Sequence, residues 1–468
     1  MDSANDATLS KIQEAMAAIY GARDWIFTMP VLVACTPHVN ALHAYGANRI
    51  ACFATARGAG EVPSQHIAPV QVIVEAHGRG RMGGIRASMD ALASDHPAIT
   101  GAIERFDPSQ QARSMGPIFD DGRPTAGRAK WGARPASWQA LEDKVVIDQL
   151  WRDAGITSAP YRVVRAELSE MRAAAQQVDA GLGTVQAGDA REGFHGGATL
   201  ARWVRDEAQQ QAVAKSYSEV CDELRIMPFI EGIPCSIHGV VMPDKTVSLI
   251  PCEMLVLKSS ATGRFFYLGA STLWRPSSSA TSTMRSACEA VGEELRRKVG
   301  YRGAFTIDGV WGRSGFVPTE LNPRVGAALE TLCRGIDGFS MQLFNHAVIE
   351  GIDTGCDGLQ LEALLRAHAQ THRRWRLGIM CDRAIKPFSG QIRRDDQGVR
   401  WSDPGAAGAI AIEAAESHGG ATYVRLQGTA DDFEPGVTLS GFARDVIQWL
   451  NDHHAADLGT WEAVDPSP

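Results

Sequence analysis

Lysine is scarce in this 468-residue sequence: it supplies only eight of the 46 basic residues, and arginine supplies the rest. The skew is typical of a GC-rich coding sequence, and it leaves few lysines for any phosphate-binding site. Basic charge is not in excess either, because 54 acidic residues give a formal net charge of −8. This balance disfavours a broad nucleic-acid-binding surface and leaves only a local basic groove open.

Long apolar segments and paired cysteines are also missing. The longest apolar run, over residues 25–35, is too short and too interrupted to span a bilayer. The first 25 residues have no basic segment followed by an apolar one, so we expect no signal peptide. The nine cysteines form no C-x-x-C pair and are odd in number. They predict free thiols in a reducing cytoplasm, and they favour neither a disulfide framework nor a zinc site.

The order of predicted elements divides the chain into three regions. Residues 1–135 begin with helix, strand, helix and strand, an order typical of a parallel α/β unit. Two stretches rich in Gly and Arg, 77–86 and 120–135, are predicted loops. Residues 136–350 contain the motifs described next. Residues 351–468 predict a separate C-terminal α+β domain with a helix, three strands, a final amphipathic helix and a loose tail. The predicted fold class is therefore mixed α/β and α+β.

The first two motifs are individually weak. Lys144 precedes the helical pattern VVIDQLWRDAG and could reach a phosphate from there, although a surface lysine is the more common role. The second motif is a strand at residues 184–187 followed by a turn that contains Gly193, Gly196 and Gly197. Glycines let backbone N–H groups curl around an anion, but an ordinary hairpin loop has the same composition.

The third motif is LRIMPFIEGIPCSIHGVVM, which predicts two strands separated by a turn at Glu231 and Gly232. Met227, Phe229 and Ile230 would pack on a planar base, while exposed backbone groups of the same segment read the edge of that base. An ordinary hairpin with apolar core residues is an equally open alternative.

The sharpest motif is YRGAFTIDGVWGRSGFVPTELNPRVGAALE. It predicts two antiparallel strands joined by a glycine-bounded turn, with Asp308 on the first strand and Glu320 and Asn322 on the second. Glu320 and Asn322 are two residues apart and therefore share a face. Three oxygen donors that face one point suit Mg²⁺, and Arg324 repeats the two-residue step toward that face. A structural hydrogen-bond network is the alternative.

In this order the four motifs resemble the ATP-grasp superfamily of carboxylate–amine and peptide ligases, over about residues 136–350. The preceding α/β unit is similar to the domain that usually precedes an ATP-grasp core. The resemblance implies ATP and Mg²⁺ as cofactors, with the metal held by Asp308, Glu320 and Asn322. It implies Lys144 and Arg324 as catalytic residues on the phosphates. The nucleotide-binding residues that it implies are Lys144, Gln186, Gly193, His195, Gly196, Gly197, Met227, Phe229, Ile230 and Glu231.

The sequence departs from the family pattern at two points. Gln186 stands where the family usually has a second phosphate-binding lysine, so His195 or an arginine would have to supply the missing charge. The acidic ribose ligand often follows the adenine strand by a few residues, but residues 233–235 here are Ile, Pro and Cys. Glu231 is therefore only a candidate for that role.

The resemblance implies an ATP-dependent ligase that activates a carboxylate, such as that of an amino acid, as an acyl phosphate. An amine, such as the N-terminus of a peptide, would then displace the phosphate. Neither nucleic acid nor a membrane is an expected partner, and a homodimer is the usual oligomer. Two alternatives stay open: an ATP-grasp carboxylase and a non-catalytic nucleotide-binding regulator.

Further substrate-site residues are weakly indicated. Glu253 lies on a predicted strand after the adenine segment and is a candidate base for the amine. Lys258 and Arg264 flank a predicted loop and are candidates for binding a substrate carboxylate. A plain surface position is at least as common for each of the three.

Overall fold

The computed structural model describes residues 3–78, 80–189, 191, 196, 198–417 and 420–464. Within these ranges, no helix combines the length and the apolar character that crossing a bilayer requires. The described residues form three sheets, one of them small and parallel, one small and antiparallel, and one large.

The N-terminal region is a parallel four-stranded sheet in the order β3-β2-β1-β4, as the helix and strand alternation predicts. The predicted loop at residues 77–86 is wrong from Gly80 onward, because a helix begins there and packs on β1 and β2. This packing outweighs the low helix propensity of the glycines. The elements are α1 (Ser3–Tyr20), β1 (Asp24–Val31), α2 (Thr36–Ala44), β2 (Arg49–Ala56), β3 (Val70–Ile73), α3 (Gly80–Ala93), α4 (Pro97–Phe106) and β4 (Arg113–Met115).

A small antiparallel sheet follows, in the order β5-β8-β6-β7. Two helices, α7 and α8, cover one face of it and bury an apolar cluster there. The other face carries Val185, Ala187 and Met227, which line a cavity described below. The elements are α5 (Ala136–Gln139), α6 (Ile147–Asp153), β5 (Arg162–Arg165), α7 (Leu168–Val178), β6 (Thr184–Gly188), β7 (Ala201–Val204), α8 (Glu207–Tyr217) and β8 (Glu223–Pro228).

The large sheet is antiparallel and twelve-stranded, with the main order β14-β13-β9-β11-β12-β15-β19-β18-β16-β17. Its first strands are β9 (Gly232–Val241), β10 (Thr246–Ser248), β11 (Cys252–Lys258), β12 (Phe265–Ser271), β13 (Gly303–Gly312) and β14 (Gly315–Asn322). Its C-terminal strands are β15 (Arg374–Cys381), β16 (Phe388–Asp395), β17 (Gly398–Ser402), β18 (Ile410–Glu416), β19 (Thr422–Thr429) and β20 (Glu462–Ala463). The helices around it are α9 (Ser278–Val299), α10 (Ala327–Cys333), α11 (Met341–Ile349), α12 (Gly358–Thr371) and α13 (Ser440–His454).

The C-terminal region is joined to the middle region through this sheet. The predicted helix and strands of the C-terminal region are confirmed, and β15 pairs directly with β12. The predicted loose tail is wrong, because β20 pairs with β11 and Ala463 lies opposite Leu257. The boundaries at residues 135 and 350 stay predictions.

The two faces of the large sheet have different surroundings. One face packs on α9 and α13 through apolar side chains such as Ile307 and Leu377. The other carries Asp308, Met254 and Arg376, and we call it the inner face. Ala270 and Ala304, which lie on it, pack into the core shared with the N-terminal region. The inner face is therefore the wall on which the regions meet.

Trp375 offers a test of the C-terminal packing. It is fully buried and packs edge-on against the rings of Phe433 and Phe442, at centroid distances of 5.6 and 5.7 Å. We expect Trp375→Ala to lower the free energy of unfolding by about 3–5 kcal/mol, because it leaves a large cavity. Trp401, which is 45% exposed, is the matched control, and Trp401→Ala should cost less than about 1 kcal/mol. Equal losses in urea denaturation would contradict this packing.

Candidate active site

The hairpin of β13 and β14 brings the predicted acidic residues together. Asp308 lies directly opposite Glu320, and Thr306 lies opposite Asn322. The strands are joined at Gly312 and Gly315, as predicted. Because directly opposite residues project from the same face, the two carboxylates share the inner face.

A chain of polar contacts surrounds the two carboxylates. Lys144 Nζ lies 2.7 Å from Glu320 Oε1, and both side chains are mostly buried, at 15% and 26% exposure. Asn322 Nδ2 donates to Asp308 Oδ2 at 2.8 Å, and Arg324 Nη2 donates to Asn322 Oδ1 at 2.7 Å. The structure therefore unites the five predicted metal and phosphate residues, which 180 positions of sequence separate.

The prediction of three converging oxygens needs one correction. Asn322 turns its amide nitrogen, not its oxygen, toward Asp308, so two carboxylates supply the oxygens at this point. Among the described residues, no group of three or more His, Cys, Asp or Glu side chains is arranged to hold a metal ion. A cation here would therefore rest on few protein ligands, as Mg²⁺ does when water and phosphate complete its shell.

The two facing carboxylates repel each other. Burial raises the pKa of Asp308, and the negative charge of Glu320 raises it further, while Arg324 and Lys144 oppose both effects. Like charges this close are stable together only when a cation or a shared proton offsets them. A cation bound near these two carboxylates would therefore be electrostatically favourable.

Two residues that the sequence did not single out hold Arg324 in place. Glu142 Oε1 lies 2.6 Å from Arg134 Nη1 and 3.3 Å from Arg324 Nε. Arg134 also donates to the carbonyl oxygen of Pro323 at 3.1 Å. The segment before Lys144 therefore anchors the segment after Asn322, and the only sequence signal was the closeness of Glu142 to Lys144.

A cavity of about 170 Å³ opens between the small sheet and the inner face of the large sheet. Its walls are mainly apolar, and its polar lining side chains are Lys144, Arg225, Thr319 and Glu320. The apolar lining residues are Val185, Ala187, Ala201, Met227, Phe229, Ile230, Pro234, Met254, Val256, Phe265, Val310 and Val464. A pocket with apolar walls and a few polar groups is typical of a ligand site.

The predicted adenine segment lines this cavity through Met227, Phe229 and Ile230, whereas Glu231 is exposed and does not line it. Phe229 stacks on Trp203 at 4.5 Å between ring centroids. Lys258 Nζ lies over both rings, at 4.6 and 5.0 Å. Sequence reasoning missed Trp203, which lies on β7 and stacks behind the cavity-lining Phe229 only in the folded chain.

Gln186 does not line the cavity, which corrects its predicted place in the site. It is fully buried on the opposite face of β6, where it exchanges hydrogen bonds with Gln210 at 2.7 and 3.1 Å. The cavity-facing positions of the strand are Val185 and Ala187. Alternation along a strand explains the error, because a shift of one position reverses the face.

Arg225 brings positive charge to the wall of the cavity. It lies on β8 directly opposite Ala187 and lines the cavity. Its guanidinium forms a buried bidentate pair with Asp148, at 2.5 and 2.7 Å. Arg225 is thus the arginine that stands beside the lysine-free strand, although Asp148 already compensates its charge.

The glycine turn of the second motif is described only in part. Gly193, His195 and Gly197 lie outside the described residues. The carbonyl oxygen of Gly196 accepts a hydrogen bond from Thr199 Oγ1 at 2.7 Å. The predicted role of this turn therefore stays a prediction.

Glu253 is not placed to act as a base, which corrects another expectation. It is 1% exposed, and its two carboxylate oxygens accept hydrogen bonds from the backbone N–H of Leu439 at 2.8 and 3.0 Å. It therefore caps the start of α13, which joins the C-terminal helix to the large sheet.

Replacing Glu253 tests this structural role. Glu253→Gln substitutes a donor for an acceptor oxygen at the helix start and should lower the free energy of unfolding by about 1–3 kcal/mol, measured by denaturation. Glu223→Gln, at an exposed position of β8, is the control and should leave stability nearly unchanged. A Glu253→Gln protein of unchanged stability would refute the capping role.

No protein-family model and no curated protein sequence matches the chain. An ADP complex of N5-carboxyaminoimidazole ribonucleotide synthetase has a TM-score of 0.54 at 11% identity, covering 93% of this chain and 98% of its own. The Aspergillus clavatus enzyme with ADP and 5-aminoimidazole ribonucleotide has a TM-score of 0.53 at 10% identity, covering 92% and 98%.

A second kind of enzyme is also similar. The biotin carboxylase domain of Hydrogenobacter thermophilus 2-oxoglutarate carboxylase, with MgADP and bicarbonate, has a TM-score of 0.51 at 13% identity. It covers 92% of this chain and 90% of its own. Identities this low establish architecture alone, and on that basis the chain has the ATP-grasp fold.

Proposed function

We propose that the protein is an ATP-dependent ligase that activates a carboxylate as an acyl phosphate and joins it to an amine, with release of ADP and phosphate. The observation that carries this proposal is the placement of Lys144 and Glu320 at an apolar cavity, with Asp308 directly across the hairpin. The solved structures with this fold were crystallised with ADP or MgADP, which supports ATP as the nucleotide.

The residues of the hairpin fit Mg²⁺. Two hard carboxylate oxygens and a demand for positive charge suit a cation that takes its other ligands from water and phosphate. Asn322 would join Asp308 and Glu320 after its amide turns over, and that turn would release Arg324 from its present acceptor. When bound, Mg²⁺ would neutralise the charge that develops on the transferred phosphoryl group.

The chain's own residues would position and stabilise the reactants. The apolar walls near Phe229 hold the base, and the ammonium of Lys144 exchanges Glu320 for a phosphate oxygen when the nucleotide arrives. Arg324, held by Glu142 and Asn322, would turn its guanidinium toward the transferred phosphoryl group. Such preorganised charges contribute mainly by stabilising the transition state.

The two steps balance without covalent participation by the protein. A carboxylate oxygen attacks the γ-phosphorus and ADP leaves, which gives the acyl phosphate. The amine then attacks the acyl carbon, phosphate leaves, and the amine proton passes to solvent or to a base. Glu253 is excluded as that base by its place beneath α13.

For the substrates, we propose an amino-acid carboxylate and the N-terminal amine of a peptide. This finer proposal rests on the order of motifs and domains, which resembles the peptide ligase of pheganomycin biosynthesis. A cytoplasmic, homodimeric enzyme of antibiotic biosynthesis would be consistent with it.

A carboxylase is the second candidate, because the biotin carboxylase domain with MgADP and bicarbonate has the same fold. Product analysis separates the candidates. Hydroxylamine should trap the acyl phosphate as a hydroxamate when the correct acid from a panel of amino acids is supplied with MgATP. ADP release that needs bicarbonate would support the carboxylase instead, and tight ATP binding without turnover would support a regulator.

The metal assignment predicts opposite effects on activity and on stability. Asp308→Asn and Glu320→Gln should each lower kcat by at least about 100-fold, since each removes a charge that the transition state needs. In EDTA, Asp308→Asn should be no less stable than the wild type at pH 8, because it removes the repulsion of two buried carboxylates.

The pH dependence of this stability follows from the raised pKa of Asp308. In the folded protein Asp308 keeps its proton at a pH at which the unfolded chain has lost it. This difference stabilises the folded protein fully at low pH, and the stabilisation declines as the pH rises above about 4. The metal-free wild type should therefore lose stability relative to Asp308→Asn over that rise.

Near-wild-type turnover in Asp308→Asn or in Glu320→Gln would overturn the metal assignment.

Lys144 tests the phosphate assignment separately. Lys144→Ala should raise the KM for ATP by at least about tenfold, because one charge-assisted contact to phosphate is lost. Lys215→Ala, at an exposed position of α8, is the matched control and should leave the KM unchanged. An unchanged KM in Lys144→Ala would count decisively against the nucleotide site.

A further inference from the structure

A group of four arginines lies at one end of the inner face, away from the hairpin. Arg374 and Arg376 belong to β15, Arg425 to the neighbouring strand β19, and Arg334 directly follows α10. Arg376 lies opposite Gln427 in the ladder, and Arg334 Nη1 donates to Gln427 Oε1 at 2.7 Å. We call these four residues the arginine cluster. Two strands and a helix end therefore direct guanidinium groups to one place.

The contacts of the cluster leave much of its charge uncompensated. Arg425 Nη2 pairs with Glu413 at 2.8 Å, and Arg376 forms a hydrogen bond with Tyr423. Arg334, Arg374 and Arg376 have no carboxylate within ion-pair distance among the described residues. Within the same part of the chain, the Nε of Arg374 is buried without a hydrogen-bond partner. Arg425 is therefore the one member of the cluster with a carboxylate at ion-pair distance in this part of the chain.

Glu330 is the other carboxylate of this neighbourhood, and it is a poor counter-charge. It lies on α10, and one of its oxygens is buried without a hydrogen-bond partner in the described structure. Burial raises its pKa, which weakens its charge, although Arg334 and Arg376 act in the opposite direction. Burial also lowers the pKa of Arg334, and the guanidinium groups of Arg376 and Arg374 lower it further. The cluster is therefore short of negative charge.

The cluster lies on the same wall as the nucleotide cavity. Met254, which lines that cavity, is opposite Ala270 on β12, and Ala270 is opposite Arg376 on β15. Two strand spacings separate Met254 from Arg376, a distance of about 10 Å. The intervening Ala270 is 4% exposed and packs into the apolar core, so the two places share one wall and the core covers the stretch between them.

The cluster also borders the N-terminal region. A side chain at Gly60 would lie only 3.2 Å from Arg425 Nη1, so the loop after β2 closely approaches the cluster. An open cavity of about 680 Å³ lies at the ends of β2 and β3 and is also lined by Glu416, Ser417 and Gly420. The carboxyl end of a parallel sheet is a common place for ligands.

We propose that the arginine cluster binds an anionic group, a carboxylate or a phosphate, carried by one of the two co-substrates about 10 Å from the nucleotide cavity. The proposal deepens the ligase function and rests on it for the identity of the ligand as a substrate. Guanidinium groups on two strands and a helix end match the several oxygens of such a group. The co-substrate would thus carry a second anionic group besides any carboxylate that is activated.

Binding of simple anions tests the site directly. Inorganic phosphate and glutarate would be titrated separately into the full-length protein by calorimetry, at constant ionic strength and with MgAMP-PNP present to occupy the nucleotide phosphate sites. The wild type should bind one of them with a Kd at or below about 1 mM. Arg376→Gln and Arg425→Gln should weaken that binding by about 10- to 100-fold, and Arg400→Gln on β17 should not.

A stability measurement separates a binding role from a structural one. Without anion, Arg334→Gln should melt at or above the wild-type temperature, because the nearby guanidinium groups of Arg376 and Arg374 repel that of Arg334. Phosphate or glutarate, whichever binds, should raise the Tm of the wild type and not that of Arg376→Gln. A preference for phosphate or for glutarate identifies the anionic group of the co-substrate.

Two results would overturn the proposal. Either no binding of phosphate and glutarate by the wild type, or wild-type affinity in both Arg376→Gln and Arg425→Gln, would refute the site. Binding of MgAMP-PNP is measured in a separate titration of the same protein and tests the nucleotide cavity. Loss of nucleotide binding alone would remove the ligase function and leave the arginine cluster standing as an anion site.

Discussion

The repulsion between Asp308 and Glu320 is the constraint around which the rest of the site is arranged. Two carboxylates face each other on adjacent strands of a mostly buried wall, where their charges are expensive to hold together. The negative charge is partly offset by Lys144, Asn322 and Arg324. Glu142 and Arg134 then hold Arg324 and the chain after β14 in position.

The large sheet extends the site beyond the hairpin. Its inner face extends from the hairpin past the apolar cavity to the arginine cluster, so three chemically different surfaces share one wall. The small sheet closes the cavity from the opposite side, and the N-terminal region borders the far end. The hydrogen-bonded strands of the antiparallel sheet fix the spacing of these surfaces, which would suit the proposed ligation because it needs two substrates held in a set geometry.

Prediction from the sequence worked best where a short pattern sets the geometry. The two-residue step from Glu320 to Asn322 and the glycine-bounded turn were enough to predict the hairpin and its shared face. Prediction failed where the sequence does not show which alternate residues of a strand face the cavity. Gln186 and Val185 are neighbours, and only packing against α8 decides which of them faces it. Glu253 and the C-terminal tail were misjudged because their partners, Leu439 and β11, are distant in sequence.

The sequence by itself determined the parallel order of the N-terminal unit, the acidic hairpin and the apolar segment with Phe229, since periodicity and turn residues are local properties. The tertiary structure decided which cations reach the cavity and which do not. Three juxtapositions depend on how distant segments cross and on the register of their strands. They are Arg225 opposite Ala187, Trp203 stacked on Phe229, and the four arginines of the cluster. A scarcity of lysine could be counted in advance, but where the arginines gather depends on strand pairing between distant segments.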